Sequence, residues 1–166
     1  KYKGEITVSS KVGEGTKFQV YLPITEKRPS DEIYQQEELP RGIEHILFVD
    51  DEFPIAKMAS RMLEKQGYTV TIRTSSVEAL ALFETRPEDF DLVISDTMMP
   101  GMTGDKLAQE MFITRPDLPF ILCTGFSSRL NEEEMYDLGI RTVEYKPLGK
   151  KDFIQTVRRV LDEPKH

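Results

Sequence analysis

Five short apolar runs, each followed by a stretch with helical periodicity, divide the sequence between residues 43 and 162. Runs of this length, bounded by turn residues, are typical of buried strands. Repeated βα units predict an α/β fold: a doubly wound parallel sheet with helices on both faces and right-handed crossovers. The predicted strands are His45–Val49, Tyr68–Arg73, Asp91–Ser95, Pro119–Cys123 and Thr142–Tyr145.

Helix start and stop signals lie between these runs. Ser75 and Glu78 have the spacing of a capping box, and Asn131 can cap a short helix that Gly139 ends. The predicted helices are Pro54–Gln66, a segment from Ser75 to Pro87, Thr103 to about Arg115, a short one after Asn131, and one carrying Phe153, Ile154, Val157 and Leu161. In the first of them, the residues predicted to face the sheet are Ile55, Met58, Met62 and Leu63.

A separate pattern occupies residues 1–24. Two alternating stretches flank Gly13–Thr16, which predicts a β-hairpin. Because two strands cannot bury a core of their own, we expect the hairpin to be the trailing edge of another domain. Residues 25–43 are polar and predict a linker, residues 44–162 form the main domain, and residues 163–166 form a tail. The chain begins at Lys1 within the pattern, so we expect it to be part of a longer protein.

Reactive side chains stand where the predicted strands end. Asp50 and Asp51 follow the first strand, Asp96 the third, Thr124 the fourth and Lys146 the fifth. Open parallel sheets bind ligands at their carboxyl edge, so we expect these residues to meet there. Carboxylates at close range repel one another, and the pKa of at least one should rise unless a cation joins them. Mg²⁺ would meet this need.

This combination suits phosphoryl transfer. A metal and Lys146 would neutralise the phosphoryl oxygens, Thr124 would donate a hydrogen bond, and a carboxylate oxygen of Asp96 would attack phosphorus in line. The predicted product is an aspartyl phosphate. Each residue alone has an ordinary reading: Asp50 and Asp51 as helix caps, Thr124 as a turn residue, Lys146 as a solvated loop lysine.

Residues 44–162 resemble a response-regulator receiver domain. The resemblance rests on the acid pair, the run from Asp96 through Met99-Pro100-Gly101-Met102 to Gly104, the Thr124-Gly125 pair and the Lys146-Pro147 pair. It implies a flavodoxin-like fold with strand order 2-1-3-4-5. It also implies that the phosphoryl group comes from a phosphohistidine on a donor domain outside this chain.

The resemblance also implies individual roles. Asp51 would bind Mg²⁺ directly and Asp50 chiefly through water. Asp96 would be phosphoacceptor and metal ligand, with the backbone carbonyl of Met98 completing the protein ligands. Thr124 and Lys146 would hold the phosphoryl oxygens.

The N-terminal hairpin resembles the last hairpin of the ATP-binding domain of sensor histidine kinases. The resemblance lies in Gly4-Glu5-Ile6, Gly13–Phe18 and Val20–Pro23. It implies that the receiver is the C-terminal one of a hybrid sensor histidine kinase. We do not expect this chain to phosphorylate itself from ATP, because the nucleotide-binding body and the donor helices are not in it.

Two positions depart from the receiver pattern. Receivers usually have a Tyr or Phe three residues before the lysine, and here that position is Val143. Tyr145 is predicted on the same strand face, where it could take over part of the switching role. Met98, two residues after Asp96, cannot position a hydrolytic water well, which predicts a long-lived phosphoryl group.

The net charge and the cysteine content limit which partners and which cellular compartment we expect for this chain. A net charge of −7 and a pI near 5.0 argue against a nucleic-acid-binding surface. A single cysteine, Cys123, in an apolar run indicates a reducing, cytoplasmic compartment, and we expect no membrane contact, although a parent kinase could be anchored.

Two other functions stay open: an Mg²⁺-dependent aspartyl phosphatase, which would want a second acid at position 98, and a pseudo-receiver that only binds a partner.

Overall fold

A computed structural model describes residues 4–24, 38–125 and 131–164. The chain divides into two compact units, Lys1–Glu37 and Glu38–His166. The greater part of the predicted linker, residues 25–37, lies outside the described residues, as do residues 165–166 of the predicted tail.

The first unit contains the predicted hairpin. Strand β1, Glu5–Lys11, pairs antiparallel with β2, Gly15–Tyr21, around a turn in which Gly13 and Gly15 have positive φ. The register places Ile6 opposite Val20 and Val8 opposite Phe18, and all four side chains are exposed. The hairpin therefore has one apolar face that its own two strands cannot cover.

The second unit contains a five-stranded parallel sheet. Its strands are β3 (His45–Val49), β4 (Thr69–Arg73), β5 (Leu92–Asp96), β6 (Phe120–Thr124) and β7 (Thr142–Tyr145). Their spatial order is β4-β3-β5-β6-β7, and every neighbouring pair is parallel. Counted within this unit, the order is 2-1-3-4-5, so the predicted fold is confirmed.

Helices cover both faces of this sheet. They are α1 (Phe53–Glu64), α2 (Ser76–Thr85), α3 (Gly104–Thr114), α4 (Glu132–Asp137) and α5 (Lys150–Asp162), with a 3₁₀ turn at Pro87–Asp89. Helices α1 and α5 share one core with Ile46, Phe48 and Ile94, while α2, α3 and α4 pack on the other face around Leu47 and Val93. Within the described residues, no helix is long and apolar enough to span a membrane.

The predicted inner face of α1 is wrong in part. Leu63 is buried as expected, but Met58 is 43% exposed, and the helix instead buries Ala56 and Ala59. Small alanine side chains let the helix lie close to the sheet, so the larger methionine is turned outward. The hydrophobic pattern alone favoured the bulkier residues, so the predicted buried face of the helix is rotated about the helix axis relative to the observed one.

Candidate functional site

The predicted site residues lie at one edge of the sheet. Asp50 directly follows β3 and Lys146 directly follows β7, whereas Asp96 and Thr124 are the last residues of β5 and β6. The sequence had predicted Asp96 and Thr124 one residue beyond the ends of their strands. Asp96 instead pairs with Cys123 in the ladder, and Thr124 with Tyr145, so each strand begins and ends one residue later than predicted.

Lys146 joins the two buried acids. Its Nζ lies 2.8 Å from Oδ2 of Asp50 and 2.6 Å from Oδ1 of Asp96. The Asp50 side chain is fully buried, that of Asp96 is 10% exposed and that of Lys146 is 17% exposed. One ammonium group therefore pairs with two largely buried carboxylates and offsets only part of their negative charge.

Backbone N–H groups bind the remaining carboxylate oxygens. The N–H of Glu52 donates to Oδ1 of Asp50 at 2.9 Å, and the N–H of Met98 donates to Oδ2 of Asp96 at 3.1 Å. Each oxygen of the two acids thus has a donor, which offsets the cost of removing the charges from water. The bond to Glu52 also places Asp50 at the start of α1.

The pKa values follow from burial and pairing. Burial raises the pKa of Asp50, and the hydrogen bond from Lys146 opposes that rise only in part. For Lys146, burial acts to lower the pKa, but hydrogen bonds to Asp50 and Asp96 raise it above its ordinary value. The sequence had suggested repulsion between acids as the reason for a raised pKa, whereas burial is the larger cause at Asp50. Lys146 is therefore charged at neutral pH.

Thr124 and Lys146 are linked through the backbone. The N–H of Lys146 donates to the carbonyl of Thr124 at 2.7 Å, and the hydroxyl of Thr124 donates to the carbonyl of Gly125 at 3.4 Å. Thr124 is buried at the end of β6, beside the Lys146 backbone. A shift of one of these residues would consequently move the other.

The third acid differs from the first two. Asp51 is exposed, and the described ranges contain no group of three or more His, Cys, Asp or Glu side chains placed to hold a metal. Asp50 and Asp96 nonetheless fit a hard cation, because both offer carboxylate oxygens and both already bind one cationic atom. The participation of Asp51 and of the Met98 carbonyl stays a prediction.

The loop after Asp96 contains contacts that the sequence did not reveal. Thr97 donates to the Cys123 carbonyl from its N–H at 2.8 Å and from its hydroxyl at 2.7 Å. A Cβ at Gly104 would collide with the Asp96 carbonyl and with Leu122, so glycine permits the close approach of α3 to β5. A glycine at the first position of a helix was the one available signal for this crowding.

Val143, one of the two departures, and Tyr145, its predicted substitute, both lie on β7. Val143 is opposite Leu122 and packs against the α3 and α4 core, while Tyr145 is opposite Thr124 and is 43% exposed. Strand alternation places both on one face, as predicted. Compared with the usual receiver position three residues before the lysine, the aromatic ring therefore stands two residues further along β7, nearer to Lys146.

Known proteins give an independent comparison. Residues 46–158 match the family model of the response regulator receiver domain. The sensor kinase CckA of Brucella abortus is 32% identical over 169 residues, which cover 96% of this chain and 18% of that protein. The response regulator SaeR of Staphylococcus aureus is 31% identical over 121 residues, which cover 73% of this chain and 52% of SaeR.

A solved structure agrees with these sequence matches. The CheY-like receiver domain protein of Methanospirillum hungatei superposes with a TM-score of 0.67 at 30% identity, over 73% of this chain and 95% of that one. This chain spans less than a fifth of CckA and about half of SaeR. The family match covers most of the sequence and includes Asp50, Asp96, Thr124 and Lys146. The chain therefore belongs to the response regulator receiver domain family and is a receiver domain of a two-component signalling system.

Proposed function

We propose that this receiver accepts a phosphoryl group from a phosphohistidine onto Asp96. Receiver domains take phosphoryl groups from histidine kinases or phosphotransfer proteins. The observation that supports Asp96 most directly is its contact with Lys146, which also binds Asp50. A carboxylate held beside a charged, largely buried ammonium can approach the oxygens of a phosphoryl group with less electrostatic repulsion.

The chemistry follows from the positions of three side chains. An oxygen of Asp96 attacks phosphorus and forms an O–P bond, while the P–N bond to the donor imidazole breaks. The electron pair of that bond passes to the ring nitrogen, which takes a proton from solvent. Lys146 turns its ammonium from the Asp96 oxygen to a phosphoryl oxygen, and the Thr124 hydroxyl donates to another.

Four groups are proposed to hold Mg²⁺: the carboxylates of Asp50, Asp51 and Asp96, and the backbone carbonyl of Met98. When bound, the ion supplies positive charge that offsets the charge on the phosphoryl oxygens. Asp50 contributes whether it binds directly or through water, because its burial fixes its position.

We infer that the receiver belongs to a hybrid sensor kinase. The similarity to CckA covers 96% of this chain, so it extends beyond the receiver into the hairpin unit. This extent supports the interpretation of the hairpin as the end of a kinase ATP-binding domain, with residues 25–43 as the linker. The activity proposed for this chain is that of a phosphoacceptor.

The two alternatives lack a supporting observation. An aspartyl phosphatase would need an acid at position 98, where an exposed methionine stands. A pseudo-receiver would not need Lys146 bound to both Asp50 and Asp96.

Mass measurement after incubation with phosphoramidate and Mg²⁺ tests the proposal. We expect the wild type to gain one phosphoryl group and Asp96→Ala to gain none. Asp137→Ala, which removes an exposed aspartate of α4, is the matched control and should behave as the wild type does. An unmodified wild type, or an Asp96→Ala variant that is modified equally, would contradict the assignment.

A further inference from the structure

Thr97 connects the reactive acid to the neighbouring strand. Its N–H and its hydroxyl both donate to the carbonyl of Cys123, at 2.8 Å and 2.7 Å. That carbonyl belongs to the peptide group leading into Thr124. Thr97 is only 3% exposed, so its hydroxyl faces the protein interior. Two donors from one residue thus converge on the peptide group that precedes the proposed phosphoryl-binding hydroxyl.

The carbonyl of Thr97 holds the loop that follows. It accepts a hydrogen bond from the N–H of Gly104 at 2.9 Å, which closes the segment 98–103. Within that segment, the N–H of Met98 binds the Asp96 carboxylate at 3.1 Å. Thr97 is therefore the junction between the acid, the end of β6 and the loop whose N–H binds the acid.

The hydroxyl bond matters because the strand ladder ends here. The last paired residues of β5 and β6 are Asp96 and Cys123, so Thr97 lies just beyond the ladder. A single N–H···O bond leaves the two chain ends able to rotate about it, whereas a second donor to the same carbonyl restricts that rotation. The restricted groups are those that lead into the Asp96 carboxylate and the Thr124 hydroxyl.

We propose that Thr97 is a positioning residue for phosphoryl transfer. Its hydroxyl sets the distance between the Asp96 carboxylate, which attacks phosphorus, and the Thr124 hydroxyl, which receives a phosphoryl oxygen. This inference rests on the phosphoacceptor function proposed above. In-line attack depends on the alignment of both groups, and a displacement of about 1 Å can cost about a hundredfold in rate.

The test compares two substitutions at Thr97. Thr97→Val keeps the shape but removes the hydroxyl, and the Cys123 carbonyl keeps its bond from the N–H. Thr97→Ser keeps the hydroxyl. With saturating phosphoramidate and Mg²⁺, we expect the maximal phosphorylation rate of Thr97→Val to fall about tenfold. We expect Thr97→Ser to remain near the wild-type rate, and all three proteins to have similar thermal unfolding midpoints.

Ser95→Ala is the matched control. The hydroxyl of Ser95 is also buried beside Asp96, but it donates to the Asp96 carbonyl of its own strand at 3.0 Å and does not cross to β6. Its loss should leave the phosphorylation rate close to that of the wild type. A tenfold loss in Ser95→Ala would overturn the inference, because the effect would then not depend on the cross-strand bond.

Other outcomes separate this inference from the proposed function. If the wild type is phosphorylated on Asp96 and Thr97→Val reacts equally fast, Thr97 does not position the acid, while the phosphoacceptor function stands. A rate loss that parallels a lower unfolding midpoint and is not recovered in Thr97→Ser would show a structural role only, and overturns the inference. A wild type that takes up no phosphoryl group overturns both.

Discussion

Lys146 Nζ lies 2.8 Å from Asp50 Oδ2, although 96 positions separate the two residues in the chain. The sheet order explains this contact, because the strands that precede these residues, β3 and β7, end at the same edge with β5 and β6 between them. The long side chain of Lys146 extends over the ends of the two intervening strands, and its ammonium also contacts Asp96 at the end of β5. The strand order thus brings the lysine to the two acids, and the ion pairs in turn stabilise this edge of the sheet.

Lys146→Met should destabilise the protein by about 2–4 kcal/mol, since it leaves the fully buried Asp50 without its cationic partner. Urea denaturation at neutral pH measures this loss. Lys150→Met is the matched control: it removes an exposed lysine at the start of α5, and its effect should stay within about 0.5 kcal/mol.

The double variant Asp50→Asn/Lys146→Met tests whether the unpaired buried carboxylate causes this loss of stability. Because it removes one of the two carboxylate charges that Lys146→Met leaves without their cationic partner, it should be more stable than Lys146→Met alone. A Lys146→Met protein as stable as the wild type would show that the contact contributes nothing to folding.

Tyr68 predicts a loss of stability in alkaline solution. Burial raises the pKa of Tyr68 above its ordinary value of 10.0. The folded state then keeps the phenolic proton at a pH where the unfolded chain releases it, so stability falls as the pH rises through 10.0 toward the folded pKa. The loss is at most about 1.4 kcal/mol per pH unit.

Comparison with Tyr68→Phe isolates this contribution from the lysines that titrate in the same range. The free energy of unfolding of the wild type should decline relative to that of Tyr68→Phe above pH 10.0. A constant difference between the two proteins from neutral pH to the alkaline end would show that Tyr68 has the same pKa folded and unfolded.

The sequence predicted strands and their ends better than side-chain contacts. Apolar runs locate strands because burial on both faces demands them, and the carboxyl edge then follows from parallel topology. The same pattern could not distinguish Asp50 from Asp51, which are adjacent and identical in type, yet one is buried and the other exposed. It also left Thr97 unnoticed, because a threonine that binds a carbonyl on another strand has no local signature.

Tyr145 should report phosphorylation. It lies opposite Thr124 on β7, so movement of Thr124 toward a phosphoryl group would change the surroundings of its ring. We expect the ring resonances of Tyr145 to shift when phosphoramidate and Mg²⁺ are added in an NMR experiment. Tyr68, which directly precedes β4 and therefore lies at the opposite edge of the same sheet, serves as the internal control and should not shift. Identical Tyr145 spectra in both forms would refute a role in readout.

Met98→Asn should shorten the lifetime of the aspartyl phosphate. The Met98 side chain is 67% exposed two residues after Asp96, and a thioether cannot orient a water molecule toward phosphorus as a carboxamide can. We expect hydrolysis about tenfold faster in Met98→Asn, since an oriented nucleophile lowers the barrier. The measurement is the decay of the phosphorylated mass after the donor is removed. Met58→Asn changes an exposed methionine of α1 and should decay at the wild-type rate. Equal or slower decay in Met98→Asn would mean that water reaches the phosphoryl group by a route that residue 98 does not control.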